Sequence, residues 1–96
     1  MSTIKKVYLG DSGTKLLIDC QTDISAAISL SIRVRKPGGQ MVDWPGTLEA
    51  SNTMFYITLP DDLDQSGVWK LQAVVTFADG RWYGATADLI VFGPFL

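Results

Sequence analysis

The strongest regularity in the chain is a period of two. In ISLSIRVRK, Ile28, Leu30, Ile32 and Val34 alternate with Ser29, Ser31, Arg33 and Arg35. An extended backbone therefore places apolar side chains on one face and polar ones on the other, as in a strand with one face on a core and one in water. VWKLQAVVTF repeats the pattern, with Trp69, Leu71, Ala73, Val75 and Phe77 on one face and Val68, Lys70, Gln72, Val74 and Thr76 on the other. RWYGATADLIVF alternates more weakly, and we take Tyr83, Ala85, Ala87, Leu89 and Val91 as its buried parity. Shorter strands are expected in IKKVYLG, TKLLIDC, MVDW and MFYITL, with a break near Pro45–Gly46 and a stop at Pro60. DSG, PGGQ and ADGR supply turn chemistry between them.

The pattern predicts about seven antiparallel strands at intervals of roughly 8–12 residues, an all-β sandwich. No segment sustains a helical period over ten residues, and the helical candidates near Ser25–Ala27 and Asp62–Gln65 are single turns. No repeat or linker divides the chain, so residues 1–96 read as one domain.

Cysteine usage adds that packing alone must hold the sandwich, because Cys20 is the only cysteine of the 96 residues and no internal disulfide can form. That fits synthesis in a reducing compartment. Hydrophobic residues make up 47% of the chain, too many for a disordered segment. A net charge of −2 argues against nucleic acid as a partner. MSTIKKVYLG lacks a long apolar stretch and a small-residue cleavage site, so no secretory signal is expected. No apolar run reaches the length of a membrane span, so no membrane partner is expected.

Candidate chemistry is sparse. GDSG at Gly10–Gly13 resembles a serine-protease nucleophile loop, but the chain contains no histidine to act as base. Asp and Ser bonding local backbone, with Gly at positive φ, make a tight turn the better account. Asp61, Asp62 and Asp64 offer oxygen ligands for calcium, yet their spacing fits no EF-hand loop. Asp also caps or closes turns, and we expect a structural corner there. We therefore expect no catalytic residues, no metal, no cofactor and no enzymatic activity. Arg33, Arg35 and Lys36 give one strand a basic end, either a solvated face or a contact for an acidic neighbour. FGPFL ends the sequence without a charge. Phe92, Phe95 and Leu96 either fold back on the sandwich or dock on another chain. With Trp82, Tyr83 and Arg35 nearby or likewise on the surface, the interface candidates are Phe92, Phe95, Leu96, Trp82 and Arg35.

Two resemblances sharpen this reading. The sequence resembles immunoglobulin-like domains, with Ile32, Trp44 and Leu71 in the core places of strands B, C and F. Trp69, two residues before Leu71, takes the slot of the tyrosine corner, so an indole N–H replaces the phenol as donor. The acid of Asp64-x-x-Gly67-x-Trp69 lies five residues before the aromatic, against the usual four. IKKVYLGDSGT, DISAAISLSIRVRKPGGQMVDWPGTL and LDQSGVWKLQAVVTFADGRWYG together resemble small immunoglobulin-like structural proteins of tailed bacteriophages and the N-terminal domains of baseplate upper proteins. The matching places are Gly10–Asp11, Asp23–Ser25, Lys36–Gly39 and Gly67–Gln72. The resemblance implies a non-enzymatic virion protein of the tail, baseplate or neck, made in the bacterial host cytoplasm. Its partners would be other virion proteins, in many copies, and it could form a homo-oligomer. A capsid decoration protein and a carbohydrate- or host-surface-binding module are the alternatives. The last would use exposed Trp82, Tyr83 or Trp44.

Overall fold

The computed structural model describes residues 7–93. Two sheets share the strands. The first has the order β1-β8-β7-β3-β4 and the second β2-β6-β5. The elements are β1 (Val7–Tyr8), β2 (Lys15–Asp19), β3 (Ser29–Arg35), β4 (Met41–Pro45), β5 (Thr47–Ala50), β6 (Thr53–Ile57), β7 (Gly67–Phe77) and β8 (Gly80–Phe92). The fold is an all-β sandwich without helix among the described residues, and Cys20 is a buried free thiol.

The period of two does what it predicts in β3 and β7. Ile32 and Val34 face inward beside Trp69, Leu71, Ala73 and Val75, all buried. The second sheet answers with Leu16, Met54 and Tyr56. Ile24 and Leu63, from loops at opposite ends, close the core. Two residues depart from the alternation: Ile28 precedes β3 and is exposed, and Val74, on the outer face of β7, is buried. Thr58 is the one buried polar residue among those described. It is satisfied twice: its Oγ1 accepts from the Thr14 N–H at 3.0 Å, and its own N–H donates to the Thr14 carbonyl at 3.0 Å.

Several expectations are corrected. The strands are not all antiparallel: β1 runs parallel to β8, pairing Val7 with Val91 and Tyr8 with Phe92. A two-residue strand carries no period from which direction could be read. An eighth strand, β5, is exposed at all four positions and shows no alternation. The chain crosses between sheets at Gly46, between β4 and β5, where a Cβ would lie 2.7 Å from the Met54 Sδ. Ile32 and Trp44 do not occupy immunoglobulin strands B and C, which lie in opposite sheets. They face each other in register on neighbouring strands of one sheet, with Leu71 on a third. Finally, Tyr83 is not buried. The ladder steps from Gln72–Thr86 to Val74–Tyr83, so Gly84 and Ala85 together oppose Ala73 as a β-bulge. The extra residue reverses the parity: Leu89 and Val91 face the core as expected, Trp82 turns in and Tyr83 turns out, while Ala85 in the bulge and Ala87 beyond it are exposed and not buried as expected. The expected helical turns are plain turns. Ala27 N–H donates to Ile24 O, and Asp62 N–H to Leu59 O.

Candidate interaction surfaces

The acidic corner resolves into separate structural tasks. Asp62 Oδ2 accepts from the Leu59 N–H at 2.7 Å and from the Tyr56 hydroxyl, closing the turn after β6. Asp64 turns the other way and holds Lys36 Nζ at 2.9 Å. Asp61 is exposed. No three His, Cys, Asp or Glu side chains among the described residues are grouped to hold a metal ion. GDSG is a turn between β1 and β2: Gly10 and Gly13 have φ of 87° and 74°, and Asp11 Oδ2 accepts from the Tyr8 N–H at 2.9 Å.

Burial, and then the Asp62 carboxylate beside it, push the Tyr56 phenol up to about 12. The phenol of an unfolded chain titrates near about 10. Between those values the unfolded chain has lost its proton while the folded one keeps it, so stability falls as pH rises. We expect full stability from this group below about pH 10 and a loss on the order of 2 kcal/mol by about pH 12. Urea unfolding across that window checks it. Tyr56→Phe should flatten the slope there, and an unchanged slope would show another group responsible.

The corner also locks onto the β3–β4 hairpin. Gln65 Oε1 accepts from the Gly38 N–H at 2.8 Å, and Gln65 Nε2 donates to Gln40 Oε1 at 3.1 Å. The Gln65 carbonyl accepts from Trp69 Nε1 at 3.0 Å. The expected indole donor is present and reaches back four residues to the backbone. Trp69 is fully buried and its ring centroid lies 6.0 Å from that of Trp44, which stacks on Tyr56 at 4.8 Å.

The interface candidates part company. Phe95 and Leu96 lie outside the described residues. Phe92 is half-buried at the end of β8, its ring 6.0 Å from that of Tyr8. Trp82 is half-buried and packs on the core beside Gly84, where a Cβ would come within 3.0 Å of its ring. Trp44 is core and is removed from the aromatic surface. Arg35 is exposed on the outer face of the five-stranded sheet.

That face gathers residues that are far apart in sequence. Across the strands, Met41, Arg35, Lys70 and Asp88 form one row, and Asp43, Arg33, Gln72 and Thr86 the next. Tyr83 is 45% exposed beyond them. The Arg33 guanidinium lies 5.4 Å from its ring centroid. Arg81 first, then Arg33, favour the Tyr83 phenolate and hold its pKa below the ordinary tyrosine value. Arg33, Arg35, Met41, Lys70, Leu71, Gln72 and Thr86 line a recess of about 340 Å³. Arg81 and Tyr83 escaped the sequence reading as partners of Arg33 because the bulge that turns Tyr83 outward leaves no mark in the alternation.

A second recess, of about 390 Å³, opens between the edge strand β2 and β8, lined by Ile18, Cys20, Ala73, Trp82 and Gly84 among others. Cys20 is 6% exposed there, and burial and then the Asp19 charge raise its thiol pKa. It should react with a thiol-specific disulfide reagent at neutral pH at least about tenfold more slowly in the native protein than in urea. Equal rates would mean that the side of the sandwich opens readily.

No protein-family model and no curated protein matches this chain.

Proposed function

We propose that the protein is a non-enzymatic structural part of a tailed-bacteriophage particle, an immunoglobulin-like module of the tail, baseplate or neck that joins neighbouring virion proteins. The reading rests on the likeness of four short motifs, and the observation that supports it most is where they lie. Gly10–Asp11 forms the β1–β2 turn, and Asp23 Oδ1 accepts from the Ser25 N–H at 2.9 Å and from its hydroxyl. Lys36–Gly39 forms the β3–β4 hairpin, and Gly67–Gln72 begins β7. All four motifs lie at turns or at the start of a strand. The strand partition also suits it. With β2 in the place of strand B and β3 in that of C, one sheet reads B-E-D and the other G-F-C followed by C′, the variable-type arrangement.

In this role the sandwich is a rigid body, and its edges, loops and sheet faces make contacts that gain durability through many copies. Mass spectrometry of purified particles should find the protein at a fixed ratio to the major tail or capsid protein. Antibody labelling in electron micrographs should place it on the tail, baseplate or neck. Label on the capsid shell would favour a decoration protein instead, and absence from particles would overturn the reading. Deletion of residues 93–96 should abolish incorporation if the C-terminal residues dock. For the carbohydrate-binding alternative, Tyr83 is the exposed aromatic left among its three candidates.

A further inference from the structure

We infer that the outer face of the five-stranded sheet is a docking surface for an acidic, extended segment of another protein. This deepens the reading above and rests on it only in taking the partner to be a protein.

Charge carries the inference. Among the described residues, Lys15, Lys36 and Lys70 each hold a carboxylate, Glu49 at 3.0 Å, Asp64 at 2.9 Å and Asp88 at 2.8 Å. Arg33, Arg35 and Arg81 hold none, and all three are on this one face. Arg35 stands directly opposite Lys70 in register, a like-charge pair that costs stability. Arg33 and Arg81 both reach Tyr83 instead of an acid. Asp43, opposite Arg33, is the one carboxylate of the face outside an ion pair. A chain of net charge −2 thus concentrates its unpaired guanidinium groups on one surface, beside exposed Met41 and Tyr83.

The geometry fits an extended partner. Arg33 and Arg35 are two residues apart on β3, so their side chains leave the sheet about 7 Å apart. Carboxylates at alternate positions of a strand have the same spacing. A guanidinium binds a carboxylate through two parallel hydrogen bonds, which neither Lys70 nor Gln72 can match. The recess between Arg33, Arg35, Lys70 and Thr86 gives the segment a concave seat. The overall negative charge disfavours nucleic acid, which the same arginines would otherwise attract.

The test is an amide-shift NMR titration of the whole protein with a synthetic peptide of alternating glutamate and threonine. Its controls are the same peptide with glutamine for glutamate and a single-stranded DNA oligonucleotide of equal charge. We expect saturable shifts at Arg33, Arg35, Gln72 and Tyr83 with the glutamate peptide alone, weakening as salt is raised to about 0.5 M. Arg33→Ser and Arg35→Ser should each weaken binding by about tenfold while leaving the protein folded, with the amide shifts of the second sheet unchanged. Absence of saturable shifts, shifts spread over both sheets, or equal binding of the oligonucleotide to the same residues would each overturn the inference. Neither outcome depends on particles. Absence of the protein from virions would remove the reading above and leave this result standing, whereas a failed titration with the protein present in virions would remove this surface alone.

Discussion

Trp69→Ala is expected to destabilise the protein by about 3–5 kcal/mol, the range for truncating a fully buried tryptophan. The side chain has no exposed surface, and its ring continues the stack of Trp44 on Tyr56. It is also the donor that fixes the corner, through Nε1 to the Gln65 carbonyl. A domain of this size holds roughly 5–15 kcal/mol in total, so the variant should sit close to unfolding at room temperature. Trp69→Phe separates the two roles. Phenylalanine keeps most of the apolar surface but cannot donate, leaving the Gln65 carbonyl without that partner at a cost of about 1–3 kcal/mol. Urea unfolding of both variants measures the split. If Trp69→Phe were as stable as the parent, the indole bond would contribute nothing and the corner would be held by packing alone.

This residue also shows what the sequence discloses and what it hides. Trp69, Leu71, Ala73 and Val75 announce their burial by strict alternation, because β7 lies in mid-sheet with one face on the core for its whole length. The spacing of Gly67, Trp69 and Leu71 disclosed the corner and its donor. Partition between sheets was not legible, since alternation is the same whichever sheet a strand joins. Ile32 and Trp44 both look like core residues, and both are, but nothing in their spacing says that they are neighbours. The bulge at Gly84–Ala85 was hidden for a different reason: small residues fit either face, so the parity change has no hydropathic trace. For the candidate surface, Arg33 and Arg35 were legible as a basic strand end. Their company with Arg81 and Tyr83 is a product of register, which only the paired strands reveal.

The two sheets differ in what their outer faces offer. The three-stranded sheet presents Leu17 and Ile57, both exposed, with the Lys15–Glu49 pair beside them. The five-stranded sheet presents Arg33, Arg35 and Arg81, which hold no carboxylate among the described residues, beside Asp43 and the Lys70–Asp88 pair. In the proposed role two neighbours require two contacts, and a sandwich provides two opposed faces at fixed separation. Charge-steered docking on one face and apolar contact on the other would respond oppositely to salt, the first weakening while the second does not.

Gly67→Ala is expected to destabilise by about 2–3 kcal/mol, from two causes that can be separated. The first is the backbone. Gly67 has a φ of 128°, a conformation that side chains with a Cβ rarely adopt. The second is contact: a Cβ there would lie 3.0 Å from both Cβ and Cγ of Pro37, in the hairpin that Gln65 and Asp64 hold against the corner. Gly39 provides the control, with a φ of 97° and open space where its Cβ would be. Gly39→Ala should therefore show the backbone cost alone, about 1–2 kcal/mol. The excess at Gly67 measures the contact with the hairpin. Combining Gly67→Ala with Pro37→Gly in a double-mutant cycle should recover that excess, because glycine removes both crowded atoms. Equal losses at Gly67 and Gly39, with additive effects in the cycle, would mean that the hairpin yields freely. The bend into β7 would then be set by local conformation, and the latch of Lys36, Gln40 and Gln65 would be a consequence of the bend and not its support.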